Sequence, residues 1–438
     1  MSGSLTRALS SEQIELKKKM LTAERDSHCR AVSFKLCGVL AVKPLSAQSD
    51  IYLLMNSYFT ELTGRDESFS AMRENAEEAA LKKSGVITRV TLADIYKLLR
   101  SKEHISAEIS EKLMQREQEL EVEYSCPRDF AKELYREAKS CGKRVVIIAD
   151  TCYPEETVKA VIEKCGYGSC DGLVMLREQP KANANSWVAP TLEKAGVKAP
   201  QLLHIGGDVT FDVQFAVMNG AKALLLPSPT DCMEKTGRVR GFCEKEALYD
   251  YDSPRYITLR RIFGLYAMWA FDVPQSKSFQ SDFCGNADMM GFVVLGALGF
   301  TDGSEKRSEL EAKLIEALEK NPAAKSGAES FAAIYEEYFG DKAENGISEG
   351  CGLPLRFIGK CCGEADRKLL SKQLSPTLLK KWASSVAEPE IVPIYEHNSS
   401  GNALSRLADR MFPPGTKVRT MSENILGKVH LHSDKKKH

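Results

Sequence analysis

The chain has 438 residues, of which 43% are hydrophobic and 27% charged, so it is long enough to bury more than one hydrophobic core. Its 60 basic and 60 acidic side chains cancel, which excludes the strong positive field typical of nucleic-acid-binding proteins. The longest apolar runs, at 262–271 and 289–300, fall well short of the roughly 20 residues that a membrane-spanning helix needs. We therefore expect no nucleic-acid partner and no membrane span.

The N-terminus and the cysteines indicate the compartment. The first residues, MSGSLTRALSSEQIELKKKM, are polar and lack the apolar core of a signal peptide, which predicts a cytoplasmic protein. The 13 cysteines are scattered without a Cys-x-x-Cys pair. An odd number of cysteines without an export signal favours free thiols over a disulfide framework or a zinc site.

The hydrophobic pattern predicts an N-terminal helix and then a buried strand. Leucine, isoleucine and methionine recur with helical spacing over 9–25, and the apolar run 31–40 follows. From residue 49 to about residue 142 almost every segment has a helical pattern. The helices predicted in this stretch cover 51–63, 68–84, 91–100, 105–124 and 127–140.

After Gly142, short apolar runs alternate with amphipathic segments, which is typical of a parallel sheet covered by helices on both faces. The predicted strands cover 144–149, 172–176, 201–205 and 221–226, and the predicted helices between them cover 155–164, 186–195 and 209–219. Such sheets bind ligands beyond the carboxyl ends of their strands, so we expect residues 35–38, 149–151 and 206–212 to meet in one crevice.

Together these segments predict an α/β fold whose sheet carries a helical cap, inserted after the first strand, and an additional helical C-terminal region. The predicted parts are an N-terminal helix at 1–30, an α/β core at 31–48 and 141–232, the cap at 49–140, a helical C-terminal domain at 245–387 and an irregular basic tail at 388–438.

Several motifs support this organisation through a resemblance. Residues 34–41 read Phe-Lys-Leu-Cys-Gly-Val-Leu-Ala where haloacid dehalogenase-like (HAD) phosphatases carry Phe-Asp-Ile-Phe-Asp-Thr-Leu-Leu. Segments 72–77, 90–96 and 149–154 and the His204-Ile205-Gly206 triplet continue the similarity in the same order. The chain thus resembles a bacterial branch of HAD hydrolases that is commonly linked to glycosyltransferases. The resemblance spans roughly residues 31–230 and implies a HAD-like Rossmannoid sheet.

The same resemblance implies that the catalytic aspartates are missing. Active members of the superfamily attack phosphorus with an aspartate at the position of Lys35, and the phosphatases use a second acid to exchange the proton of the leaving group. A lysine ammonium cannot form that acyl-phosphate. The second aspartate of the motif falls on Gly38, or on Cys37 with the more usual spacing of two.

Two supporting positions are also altered. The hydroxyl group that would hold a phosphoryl oxygen falls on Ala149, which has no donor. The motif lysine falls at about Asn183 in a gapless alignment, although Lys181 is two residues away and a shifted loop would deliver it.

The later acidic motif is changed as well. Where the family has Gly-Asp-Asn and then an aspartate, this chain has Gly206-Gly207-Asp208 and then Asp212. Asp208 and Asp212 are the predicted metal ligands, but Mg²⁺ prefers six oxygen ligands, and without an aspartate at position 35 that shell is incomplete. We therefore expect no cofactor, with Mg²⁺ required only if the protein is an active hydrolase. Our hypothesis is that the Lys35 ammonium takes the place of the metal and pairs with Asp208 or Asp212.

Structural roles compete with functional ones at several residues. Cys37 and Cys152 could act as thiolates, although small buried cysteines are commoner. His204 is better explained as an oriented structural histidine. Arg73 and Glu74 could reach toward the crevice, but an exposed ion pair on a helix is the simpler interpretation. Asp150 and Asp208 are explained equally well as helix caps and as ligands.

The sequence therefore predicts a catalytically inactive pseudo-phosphatase that serves in ligand binding or assembly. One alternative is a divergent phosphohydrolase of a phosphorylated sugar or similar metabolite, with Lys181 and Asp150 in catalytic roles. Another is a scaffold partner of a glycosyltransferase, which rests on the resemblance alone. The sequence leaves open the partner protein and the oligomeric state. The residues expected to contact a small phosphorylated ligand are Lys35, Asp150, Thr151, Lys181, Asp208 and Asp212.

Overall fold

The structure is a computed structural model that describes residues 11–45, 49–84, 90–178, 187–234 and 263–274. Apart from 263–274, the predicted C-terminal domain and basic tail lie outside the described residues, as do Lys181 and Asn183. Across the described ranges, no helix has both the length and the apolar character needed to cross a bilayer.

The regular elements follow the order predicted from the sequence. The strands are β1 (Ala31–Lys35), β2 (Ala41–Val42), β3 (Cys126–Pro127), β4 (Arg144–Ala149), β5 (Gly172–Met175), β6 (Leu202–Gly206) and β7 (Lys222–Leu225). The α-helices are α1 (Ser11–Glu24), α2 (Asp50–Leu54), α3 (Asn56–Thr63), α4 (Phe69–Ser84), α5 (Leu92–Glu103), α6 (Ala107–Tyr124), α7 (Asp129–Ser140), α8 (Glu155–Lys164), α9 (Val188–Ala195), α10 (Phe215–Met218) and α11 (Pro229–Glu234). A π-helical segment, Val209–Gln214, runs directly into α10, and residues 263–270 are also helical.

Five of the strands form one parallel sheet with the order β5-β4-β1-β6-β7. Counted along the chain, this is the order 3-2-1-4-5 of a doubly wound α/β sheet. The direction of strand addition reverses between β1 and β6, and ligands of such sheets bind beyond the carboxyl ends of the strands at that switch point. The predicted α/β fold is therefore confirmed, and the switch point lies where Lys35 ends β1 and Gly206 ends β6.

Successive side chains of the central strands point to opposite faces of the sheet, and both faces are buried. Val32 and Phe34 point into a core formed with α1, α7 and α8, whereas Ala31 belongs to the opposite core with Trp187 and Ala195. The strands are buried on both sides, as expected for a parallel sheet, and for this reason they read as continuous apolar runs in the sequence.

A second, antiparallel pair of strands separates the sheet from a group of helices. β2 pairs with β3, and helices α2 to α6 lie between them in the chain. These helices share their own hydrophobic core, which includes Phe59, Phe69 and Leu113. The arrangement is a helical insertion after the first strand, and we call α2 to α6 the cap. The residue boundaries of the predicted domains stay predictions.

Several predicted elements shift by one to three residues at their ends, and three others differ from the prediction in extent or type. The apolar run 31–40 is a strand only up to Lys35, since the chain turns at Gly38 with a φ of +77°. The helix predicted over 51–63 is two helices that meet at Met55. The helix predicted over 209–219 begins with a π-helical segment, which changes the direction of the side chains that follow β6.

Candidate functional site

The side chain of Lys35 reaches across the switch point to Asp212. The Lys35 Nζ atom lies 3.4 Å from Asp212 Oδ2, with exposed side-chain fractions of 22% and 6%. Lys35 is placed by the end of β1, and Asp212 is placed by the π-helical segment that follows β6. Of the two partners hypothesised for Lys35, the structure places Asp212 next to the ammonium. An amino group thus lies at the carboxyl end of β1, beside a carboxylate that follows β6.

Asp212 is held by a set of contacts behind this pair. Its Oδ2 accepts the backbone N–H of Asp208 at 2.8 Å, and its Oδ1 lies 3.9 Å from His204 Nε2. Burial on its own would raise the pKa of Asp212, but the neighbouring His204 ring and Lys35 ammonium hold it below the ordinary value. The carboxylate is therefore ionised at neutral pH and is available to pair with Lys35.

His204 has a structural environment. Its Nδ1 lies 2.9 Å from the Ser33 hydroxyl, and the Trp187 ring lies over the imidazole with 4.0 Å between centroids. Burial lowers the pKa of His204, so the ring is neutral at neutral pH. These contacts orient the ring inside the protein, which agrees with the structural role preferred from the sequence.

Gly206 is required for the approach of Asp212 to the strand end. A Cβ atom on Gly206 would lie 2.3 Å from the Asp212 Cβ and 2.6 Å from His204 Nε2. Gly207 differs, because a Cβ there would have no heavy atom closer than 3.5 Å. Position 207 therefore has room for a side chain.

The predicted metal ligands do not fit a magnesium site. Asp208 Oδ1 accepts the backbone N–H groups of Thr210 at 2.6 Å and Phe211 at 2.8 Å, so this carboxylate caps the π-helical segment. Asp212 faces the ammonium of Lys35, where Mg²⁺ would need oxygen ligands. Among the described residues, no three histidine, cysteine, aspartate or glutamate side chains are grouped so that they could hold a metal ion.

A cleft of about 620 Å³ opens between the carboxyl ends of the strands and the cap. The ends of the strands contribute Lys35, Cys37, Asp150 and Thr151 to its walls, so the predicted segments 35–38 and 149–151 meet there. The predicted residues 206–212, which include Asp208 and Asp212, do not line this cleft. Asp150 directly follows β4 and is exposed, whereas Ala149 is buried and carries no polar group. This volume is in the range of pockets that hold small molecules.

The cap contributes polar groups that the sequence analysis missed. Tyr52, Glu77 and Glu121 line the cleft, and Glu121 pairs with Lys43 at 2.7 Å. Tyr52, Glu77 and Glu121 lie in helices whose sequence patterns are ordinary, and Lys43 directly follows β2. A charged residue on a buried helical face is the only signal in the sequence that could have drawn attention to Glu121.

The interpretation of Arg73 as part of an exposed ion pair is wrong. Arg73 is 0% exposed, and its guanidinium donates two hydrogen bonds of 2.9 Å to Glu117 and one of 3.0 Å to Glu77. It also lies over the Tyr52 ring, 4.4 Å from the centroid. Because Tyr52 and Glu77 line the cleft, this buried arginine fixes the cap wall from behind.

The thiols at the cleft are poor nucleophiles. Burial raises the pKa of Cys37, and burial raises the pKa of Cys152 to about 12. A protonated thiol neither attacks an ester nor binds a metal efficiently. Both cysteines therefore fit the space-filling role that the sequence favoured.

The chain is similar to several solved structures. No protein-family model and no curated protein matches it. Among solved structures, it is similar to a haloacid dehalogenase-like hydrolase from Xanthomonas campestris, with 14% identity over 46% of this chain and 84% of that one and a TM-score of 0.34. It is also similar to an L-2-haloacid dehalogenase from Xanthobacter autotrophicus with chloropropionic acid covalently bound, with 14% identity over 45% of this chain and 77% of that one and a TM-score of 0.32. Both structures bear the name of the family that the sequence motifs resemble.

Proposed function

We propose that this protein is a noncatalytic pseudo-phosphatase that keeps the cleft of a HAD-like fold for ligand binding or assembly. The observation that carries the proposal is the ion pair between Lys35 and Asp212 at the switch point of the sheet. The group that should attack phosphorus is replaced by a cation, and that cation is engaged by the remaining carboxylate.

The chemistry supports this interpretation at each position. An ammonium has no lone pair with which to form a covalent phosphoryl intermediate. Gly38 offers no acid, and the raised pKa of Cys37 keeps its thiol protonated. Donors that only position a phosphate ester leave most of the barrier in place where there is no nucleophile and the carboxylates at the switch point do not fit a metal.

A ligand is proposed because the cleft persists although the catalytic groups do not. It is large enough for a small molecule and combines charged and hydroxyl groups from the sheet and the cap. A small phosphorylated compound bound near Lys35, Asp150 and Thr151 is one proposed occupant, and a protein partner is the other. A link to a glycosyltransferase has no support from the structure or the comparisons.

The test is a phosphatase assay of the full chain with Mg²⁺ and p-nitrophenyl phosphate. We expect no turnover above buffer for the natural protein. The positive control is a variant with the aspartates restored. The better double variant combines Lys35→Asp with Cys37→Asp. An aspartate at position 38 would be strained, because Gly38 has a φ of +77° and a Cβ there would lie 3.0 Å from the Ser228 Cβ.

The competing function is a divergent hydrolase of a phosphorylated metabolite. It is favoured by one observation, the exposed Asp150 carboxylate that shares the cleft with Lys35. Magnesium-dependent turnover by the natural protein that is abolished by both Asp150→Asn and Asp212→Asn would establish this function and refute the pseudo-phosphatase. The same assay on Glu119→Gln, an exposed residue of the cap, controls for nonspecific effects of substitution.

A further inference from the structure

The segment 263–274 is far more buried than its position in the chain suggests. It is described by itself, with residues 235–262 and those after 274 outside the described ranges. Every one of its residues except Asp272 is buried, and residues 263–270 are helical. We call this segment the strap.

The connections between the sheet and the cap are the places where the two could move against each other. The chain leaves the sheet through β2 and residues 43–45, which we call the outgoing crossing. It returns through Ser125 and β3, which we call the returning crossing. These two crossings pair with each other as β2 and β3. Two adjacent connections of this kind form a natural hinge, because a few residues at the ends of elements can absorb a rotation of one body against another.

The strap packs directly on the outgoing crossing. A Cβ atom on Gly264 would lie 2.2 Å from the backbone nitrogen of Leu45 and 2.3 Å from the carbonyl carbon of Pro44. Only a glycine allows the two backbones to approach this closely. Met268 belongs to a small apolar cluster with Val42 of β2 and Cys126 of β3, so it contacts both crossings.

The strap is also tied to the returning crossing through Arg128, the residue after β3. The guanidinium of Arg128 is buried and donates to the carbonyl oxygens of Phe271 at 3.2 Å and Asp272 at 2.9 Å. It also donates to the carbonyls of Gly38 at 3.2 Å and Pro227 at 2.7 Å, which follow strands of the sheet. One side chain thus joins the strap, the crossing and the sheet.

A second contact fixes the strap to the helix that follows the crossing. The Asp272 carboxylate accepts the backbone N–H of Phe130 in α7 at 3.1 and 3.2 Å. The residue that precedes this helix, Arg128, provides no side-chain cap of its own. Asp272 therefore caps α7 from a distant part of the chain, and Gln13 of α1 adds a hydrogen bond of 2.8 Å to the carbonyl of Val273.

We propose that the strap is an intramolecular clamp that immobilises both crossings and so fixes the cap over the cleft. The orientation of the cap is set from outside the cap and the sheet, by a segment that follows both in the chain. Met268 also lines the cleft, so any displacement of the strap changes the cleft wall as well as the hinge. The clamp does not depend on whether the cleft binds a ligand or hydrolyses one.

The experiment is hydrogen exchange with mass spectrometry on the full chain and two variants. Gly264→Ala should push the strap away from Pro44 and Leu45, and Met268→Ala should loosen it without a steric clash. We expect amide exchange in 41–45 and 125–128 to rise at least tenfold in Gly264→Ala and by a smaller factor in Met268→Ala. Exchange in β4 should not change.

The matched control is Gly207→Ala, in which the added methyl group meets no atom closer than 3.5 Å and exchange at the crossings should stay as in the natural protein. Two results would overturn the clamp. Faster exchange confined to the strap would show that the crossings are rigid without it. An equal rise in β4 would show that the strap belongs to the folding core of the sheet, and Met268→Ala provides this readout even if Gly264→Ala does not fold.

Discussion

Replacing Arg73 with methionine should destabilise the cap far more than a surface arginine would. Arg73 and Glu117 are both 0% exposed and are joined by two hydrogen bonds of 2.9 Å. Methionine fills much of the same volume but leaves the Glu117 carboxylate buried without its cation. Removing one partner of a buried ion pair costs about 3–5 kcal/mol.

The remaining contacts of Glu117 place the expected loss at the lower end of that range. The Tyr96 hydroxyl donates to it at 2.7 Å and the Tyr153 hydroxyl at 3.3 Å. Burial raises the pKa of both tyrosines, so their hydroxyls stay protonated and continue to donate after the arginine is gone. We therefore expect a loss of about 3 kcal/mol in the free energy of unfolding for Arg73→Met.

The assay is urea unfolding followed by circular dichroism, with hydrogen exchange of the cap helices as a local readout. Arg116→Met is the matched control, because Arg116 is partly exposed and its ion pair with Glu119 should contribute less than about 1 kcal/mol. Adding Glu117→Gln to Arg73→Met removes the buried charge and keeps an acceptor for the tyrosines. It should restore about 1–2 kcal/mol. A loss for Arg73→Met equal to that of the control, or no recovery in the double variant, would refute the reasoning.

Two other predictions concern buried titratable groups. Glu24 is buried, and this burial together with the nearby Glu137 raises its pKa to about 9 from 4.5. The stability that comes from a raised folded-state pKa is complete below pH 4.5 and is lost as the pH rises toward 9. Between pH 6 and 8, Glu24 therefore lowers the free energy of unfolding by up to about 1.4 kcal/mol per pH unit. In Glu24→Gln, the urea midpoint should depend less on pH over this range. An equal pH dependence of the urea midpoint in Glu24→Gln and in the natural protein would contradict this prediction. Iodoacetamide at pH 8 should label the exposed Cys141 at least tenfold faster than Cys152, because the pKa of Cys152 is about 12. Peptide mass spectrometry measures the two labelling rates. Equal rates would show that Cys152 is accessible and ionised.

The sheet could be predicted from the sequence because its physical cause is local. A strand buried on both faces must be continuously apolar, and β4 and α8 have the bounds that the pattern predicted. The expectation that residues after β1, β4 and β6 meet also follows from local order, since parallel strands all end at the same edge. The position of Lys35 at the switch point was therefore predictable without any tertiary contact.

The cap interior and the strap were not predictable for the opposite reason. Arg73 and Glu117 are 44 positions apart on two helices, and nothing in either helix indicates which residue lies opposite it. Helical spacing alone assigns a charged residue to the solvent face, which led to the wrong interpretation of Arg73. The contact of Gly264 with Pro44 spans most of the described chain, and a glycine in an apolar run carries no information about its partner.

The pair at the switch point also explains how the chain tolerates a nearly buried carboxylate. Asp212 is nearly buried, and a buried carboxylate without a compensating charge costs several kcal/mol. Here the Lys35 ammonium at the end of β1 supplies that charge. It follows that Lys35 has a structural role, and that Lys35→Asp, which places a second carboxylate beside Asp212, must acquire an external cation before it can be stable.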